Sequence, residues 1–64
     1  MCQIKVFIEK DGQEELFADE VTTLQVKESS VEIATLFEGA REVPDSVVRS
    51  IDFVAGRVLL TQHR

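Results

Sequence analysis

Apolar and polar residues alternate along the start of the chain. One face of this stretch carries Cys2, Ile4, Val6 and Ile8, and the other carries Gln3, Lys5 and Glu9. A period of two is typical of a half-buried β-strand, so we predict a strand over residues 2–9, with Phe7 interrupting the polar face. The Asp11-Gly12 pair that follows is a strong signal for a β-hairpin and predicts a return strand over residues 14–17.

The same alternation returns further along the chain. It predicts strands over residues 22–27, 47–54 and 57–62, and a short segment over residues 41–43. Residues 31–37 are apolar on both faces, which predicts a strand that is central or covered on its second side. Pro44 ends that short segment and cannot donate a ladder hydrogen bond, so we expect it at a sheet edge or corner. Arg49 falls on the apolar face of its strand, which indicates a bulge or a change of register. Residues 14–21 also have helical propensity, but an isolated helix of that length is unstable, and we predict strand and bend.

Six or seven short strands at close spacing, with no periodic helical segment, predict an all-β fold. We expect a small six- or seven-stranded barrel of the Sm-like or SH3-like kind, or a compact meander. The chain has 64 residues, so residues 1–64 form a single domain. A domain this small buries only about 60% of the surface that its unfolded chain exposes, so a partner subunit would contribute to its stability.

Several apolar residues remain once one face of each strand has been assigned to the core. Adjacent apolar residues on a surface usually mark an interface, and the commonest interface is that of a two-fold homodimer. The alternative is that the rolled sheet covers them within one subunit. We predict a homodimer whose interface includes Cys2, Ile4, Phe7, Leu36 and Leu59.

The charge balance argues against a nucleic-acid partner. The formal net charge is −5, from 12 acidic and 7 basic residues, and the basic residues are scattered. Binding to phosphate backbones requires clustered Lys and Arg. No apolar run approaches the roughly 20 residues of a membrane span, and no secretory signal pattern is present. We therefore expect a cytoplasmic protein without a membrane partner, in which a lone cysteine remains a thiol.

Cys2 is the only cysteine, and it stands beside the amino terminus. Its thiolate and a backbone nitrogen can close a five-membered chelate ring on a metal, and the amine of Met1 can add a second ring. A flat set of nitrogen and sulfur donors suits Ni(II) or Cu(II) rather than zinc. One copy supplies too few ligands, whereas two copies across a dimer axis complete the set. The alternative is that Cys2 is a small buried hydrophobic residue.

No pattern typical of catalysis competes with Cys2. The chain has one histidine, His63, near its end, and it contains no glycine-rich phosphate loop and no paired zinc-ligand spacing. We therefore predict that the protein is not an enzyme.

The sequence resembles the CooT family over nearly its whole length. The resemblance rests on the Met1-Cys2 start, the Asp11-Gly12 hairpin, Leu36-Phe37 before an acidic residue, Ile51-Asp52-Phe53 before a turn, and the final Val58-Leu59-Leu60 strand. It implies a small all-β homodimer that binds one Ni(II) between its subunits through the cysteine at position 2. It also implies a role in the maturation of carbon monoxide dehydrogenase, the expected client enzyme. The same domain is also catalogued as a predicted RNA-binding domain.

Two hypotheses follow. The first is a Ni(II)-binding homodimer that acts as a metallochaperone or a nickel store, with Cys2 and Met1 as ligands. The second is a metal-free β-barrel adaptor that binds RNA or protein, for which the charge balance gives no support as far as RNA is concerned.

Overall fold

The structure is a computed structural model that describes residues 4–62. This part of the chain forms seven β-strands and no helix. The strands are β1 (Lys5–Lys10), β2 (Gln13–Ala18), β3 (Val21–Val26), β4 (Ser30–Thr35), β5 (Gly39–Pro44), β6 (Ser46–Asp52) and β7 (Arg57–Gln62). The predicted all-β class is confirmed. Within residues 4–62, nothing helical is long or apolar enough to cross a membrane.

The strands form two sheets. One has four strands in the order β2-β1-β7-β6, and the other is a three-stranded meander in the order β3-β4-β5. β1 and β7 pair in parallel, and every other pair is antiparallel. The first and last strands of the described chain therefore lie side by side at the centre of the larger sheet.

The strands do not close into the barrel that the sequence predicts, because in the described chain no ladder joins one sheet to the other. The chain leaves the larger sheet after β2 and returns to it after β5. Glu20 and Asp45 stand at these two crossings, and both have a positive φ, 55° and 54°. This conformation turns the chain sharply at each crossing, so the two sheets pack face to face instead of continuing into one another.

The hydrophobic core lies between the two sheets. Val6, Val58 and Leu60 enter it from the larger sheet, and Val31, Ile33 and Val43 enter it from the meander. Ile33 and Leu60 are its largest fully buried side chains. Ile4, Leu24 and Val48 pack around it while remaining partly exposed.

Three local predictions are confirmed. Asp11 and Gly12 both have positive φ, 56° and 79°, as a two-residue hairpin turn requires. Arg49 stands at a break in the register between β6 and β7. Pro44 ends β5, which is an edge strand of the meander.

Two predicted strands are too long. The predicted strand over residues 31–37 ends at Thr35, and the predicted strand over residues 47–54 ends at Asp52. The apolar pairs that follow, Leu36-Phe37 and Phe53-Val54, lie in turns. Side chains at the strand ends accept hydrogen bonds from the turn backbones and stop the strands there.

Candidate functional site

The predicted metal ligands Met1 and Cys2 lie outside the described residues, as does His63, so the geometry of this region begins at Ile4. The Ile4 carbonyl oxygen accepts a hydrogen bond from the backbone N–H of Val21 at 3.0 Å. The next residue, Lys5, donates its backbone N–H to the carbonyl oxygen of Gly56 at 2.9 Å. The start of β1 is therefore fixed both to β3 and to the turn that precedes β7.

An apolar groove of about 230 Å³ opens beside Ile4. Its apolar lining consists of Ile4, Val21, Leu24, Ile51, Phe53 and Val58. Among the described residues, its charged lining consists of Asp52 and Arg57, whose formal charges cancel. We call this surface the Phe53 groove.

The turn between β6 and β7 forms one wall of the Phe53 groove. The Asp52 carboxylate accepts the backbone N–H groups of Val54 and Ala55 at 3.1 and 3.0 Å. The Asp52 carbonyl oxygen accepts the N–H of Gly56 at 2.9 Å. These bonds fix a tight turn that points its apolar side chains outward: Phe53 is 86% exposed and Val54 is fully exposed.

The basic side chains near the start of β1 are held by partners on the same chain. The Lys5 ammonium lies 3.3 Å from the Asp19 carboxylate. The Arg57 guanidinium lies 3.4 Å from Glu14 and 4.4 Å from the centre of the Phe7 ring. Exposed ion pairs of this kind contribute little stability, but these two position both cations.

The structure brings together some of the predicted interface residues and separates others. Phe7 and Leu59 are direct neighbours in the β1–β7 ladder, and both are half-buried. Leu36 is exposed in the turn between β4 and β5, which belongs to the other sheet. Ile4 lies at the Phe53 groove, and Cys2 is outside the described residues.

A second cavity, of about 450 Å³, lies beside the turn between β4 and β5. Leu16, Phe17 and Phe37 line it together with the charged residues Asp19, Glu20, Glu38 and Arg41. The Arg41 guanidinium stacks over the Phe17 ring at 4.4 Å and approaches Glu38 at 3.4 Å. We call this surface the Phe37 pocket.

Sequence reasoning missed the Phe53 groove. It assigned residues 47–54 to one strand, which would have placed Ile51 and Phe53 on a common face of the sheet. The available signal was Asp52, because an Asp side chain can cap a turn by accepting backbone N–H groups two and three residues ahead. Between Ile4 and Gln62, no three His, Cys, Asp or Glu side chains come together to hold a metal ion.

Comparison with known proteins identifies the family. The family model for the CO dehydrogenase accessory protein CooT matches residues 1–61 of this chain. The chain belongs to the CooT family. No curated protein matches the sequence.

A solved structure agrees with this family assignment. The crystal structure of a protein assigned as CooT from Carboxydothermus hydrogenoformans is similar to this chain, with a TM-score of 0.81 and 25% sequence identity. The match covers 98% of this chain and 100% of that one. The resemblance to CooT and the small β-fold that it implies are both confirmed, and the family is one of CO dehydrogenase accessory proteins.

Proposed function

We propose that this CooT-family protein binds Ni(II) as a homodimer and supplies or stores the metal for a client CO dehydrogenase. Each subunit contributes the Cys2 thiolate and a backbone nitrogen, either the amide of Cys2 or the terminal amine of Met1. The nickel is cargo that the protein carries, and the protein itself performs no reaction. We place it in the cytoplasm, where a reducing environment keeps Cys2 available as a thiol.

The donor chemistry explains why two chains are needed. A thiolate and an adjacent backbone nitrogen form one five-membered chelate ring, which occupies half of a square-planar site. Two such halves make a set of two nitrogens and two sulfurs, the tetragonal arrangement that suits Ni(II) and Cu(II). Membership of a family of CO dehydrogenase accessory proteins favours nickel over copper, since CO dehydrogenase is a nickel enzyme.

The observation that carries the proposal is the position of Ile4. This residue lies at the Phe53 groove, an apolar surface that no described residue covers. Cys2 precedes Ile4 by two residues, and two residues of extended chain span at most about 7 Å. Chain connectivity thus limits how far Cys2 can lie from a surface of the kind through which subunits associate, which supports a metal site shared between two chains.

Nickel titration of untagged protein tests the proposal. We expect one Ni(II) for every two chains and an absorption band typical of thiolate-bound square-planar Ni(II). The Cys2→Ser variant should lose tight nickel binding. It should keep the far-UV circular dichroism spectrum of the parent and remain a dimer in solution. Nickel affinity should also fall at acid pH, because the thiol and the nitrogen must release protons to bind metal.

His63 provides the control, since its imidazole is another side chain that can bind nickel. The His63→Ala variant should bind nickel as the parent does. If Cys2→Ser binds nickel as tightly as the parent does, the proposal is wrong.

A further inference from the structure

β2 is an edge strand of the larger sheet, and in the described chain it pairs with β1 alone. The backbone N–H and C=O groups on its other side are therefore available to a further strand. β2 contains no Lys and no Pro, the residues that most often block such an edge. Its exposed carboxylates, Glu14 and Glu15, disfavour pairing with an acidic strand but favour pairing with a basic one.

The Phe37 pocket lies along this edge. Three consecutive residues of β2, Leu16, Phe17 and Ala18, line it. Consecutive side chains of a strand point to opposite faces, so a cavity that touches all three lies at the edge of the strand and not on one face of the sheet. The opposite wall comes from the turn between β4 and β5 and from Arg41 on β5. A strand that pairs with the free edge of β2 therefore passes beside the pocket.

Hydrogen bonds fix the walls of the pocket. The backbone N–H of Leu36 donates to the carbonyl oxygen of Glu20 at 3.0 Å, which joins the turn after β4 to the crossing after β2. The Thr35 hydroxyl accepts the N–H of Glu38 at 2.9 Å. These bonds hold the turn that presents Phe37, whose ring is 78% exposed. A cavity of about 450 Å³ with fixed walls can take up a side chain with little loss of conformational freedom.

Charge identifies the kind of partner. Residues 11–20 contain five of the chain's 12 acidic residues and no basic residue. The pocket itself is lined by three carboxylates and one guanidinium, and the excess of negative charge remains when the Lys5 ammonium beside Asp19 is counted. The side chains of Asp19 and Glu38 stay 46% and 63% exposed in their ion pairs. This surface therefore attracts a basic segment and repels a second copy of the chain, whose net charge is −5.

We propose that an extended basic segment of another protein pairs with the free edge of β2 as a further strand and places an apolar side chain in the Phe37 pocket. The unpaired backbone groups of β2 select a polypeptide, the carboxylates select Lys and Arg, and the pocket selects the apolar side chain. The Phe37 pocket and the Phe53 groove share no lining residue, so both surfaces can be occupied together. The inference rests on the proposed function in one respect: a client that receives nickel is the expected partner.

A short capped peptide, in which Lys and Arg alternate with Val and Thr around one central Trp, tests the inference. The chain has no Trp or Tyr, so the Trp fluorescence of the peptide reports binding directly. We expect saturable binding that weakens as salt is added. A peptide with Glu in place of each Lys and Arg should not bind. Methylating the backbone nitrogens along one edge of the basic peptide should abolish binding, and methylating the other edge should not, because only one edge faces β2.

Two pairs of variants locate the contact. Phe37→Ala should weaken peptide binding about tenfold, as the loss of an interface anchor does, whereas Phe53→Ala truncates a similarly exposed ring and should have no effect. Glu15→Gln should weaken binding about two- to fivefold. Glu28→Gln removes the same charge at an exposed position outside β2 and should have little effect. Matching thermal midpoints by circular dichroism would show that all four variants are folded.

Several outcomes overturn the inference: equal binding of the basic and acidic peptides, equal effects of the two methylated peptides, or equal peptide binding by Phe37→Ala and the parent. A parent dimer that dissociates in Phe37→Ala also overturns it, because a second copy then occupies the pocket. The proposed function fails separately. Cys2→Ser should bind the peptide as the parent does, and Phe37→Ala should bind nickel as the parent does. If no peptide binds while nickel binding still depends on Cys2, the inference is wrong and the proposed function stands.

Discussion

Two turns of this protein look alike in sequence but have different surroundings. Each presents an apolar pair, Leu36-Phe37 in one and Phe53-Val54 in the other, after a side chain that caps the turn. The Thr35 hydroxyl accepts the N–H of Glu38 at 2.9 Å in the first, and Asp52 caps the second. Both aromatic rings are more than three-quarters exposed. Exposure therefore cannot distinguish the two turns, and the difference lies in what surrounds each ring.

The surroundings differ in charge and in position. Asp19, Glu20 and Glu38 line the pocket beside Phe37, which makes that surface repel another copy of this acidic chain. The described lining of the groove beside Phe53 has no net charge and includes Ile4, the residue before β1. Two turns with similarly exposed rings therefore differ in the charge around each ring, and of the two surfaces the groove beside Phe53 is the one without a net negative charge among its described lining residues.

The largest effect should come from the core that supports both turns. Leu60 is fully buried on β7 and pairs with Ile8 and Val48 on the neighbouring strands. Leu60→Ala should lower the free energy of unfolding by about 2–5 kcal/mol, through lost burial and the cavity that remains. A domain this small has only about 3–5 kcal/mol of stability from its core, so much of the variant should be unfolded and both turns lost together.

Urea unfolding followed by far-UV circular dichroism measures this effect, since the chain has no Trp or Tyr for fluorescence. Leu16→Ala is the control, because Leu16 is 54% exposed on the edge strand β2. Its unfolding midpoint should stay close to that of the parent. Equal midpoints for Leu60→Ala and the parent would mean that the core does not lie between the two sheets.

Much of this framework could be predicted from the sequence because it depends on local chemistry. The Asp11-Gly12 pair gave the first hairpin, since both residues tolerate the positive φ that the turn needs. Pro44 predicted the edge position of its strand because it has no N–H to donate. Arg49 predicted the break in register between β6 and β7 because a charged residue fell on an apolar face.

The ends of the strands could not be predicted in the same way. A period of two identifies a strand, but it does not say where the strand stops when apolar residues continue past its end. Thr35 and Asp52 end β4 and β6 through side-chain hydrogen bonds, and the apolar pairs that follow are left in turns. The sequence also did not reveal that the described lining of the Phe53 groove has no net charge, because that lining forms only where β3, β6 and β7 meet beside Ile4.

The two caps allow the turns to be disturbed one at a time. Asp52→Ala and Thr35→Val should each lower the free energy of unfolding by about 1 kcal/mol, the usual loss for one capping interaction. Only Asp52→Ala should also weaken dimerisation several-fold, because it loosens the turn that presents Phe53. Chemical denaturation and sedimentation equilibrium measure the two effects. Asp52→Asn, which keeps a carbonyl acceptor, should restore most of the dimer affinity. If Thr35→Val weakens dimerisation more than Asp52→Ala does, the interface lies at the Phe37 pocket instead.

Salt should have the smallest effect, and the size of the salt effect distinguishes the two surfaces. Two chains with a net charge of −5 each repel at long range, and salt screens that repulsion. If the copies meet through the neutral Phe53 groove, raising the salt concentration should tighten the dimer by about two- to fivefold. If they meet through the Phe37 pocket, the carboxylates of Asp19, Glu20 and Glu38 add repulsion at the contact itself, and salt should tighten the dimer more strongly. Sedimentation equilibrium in metal-free buffer at low and high salt measures the size of this effect. Phe37→Glu should show nearly the same tightening as the parent.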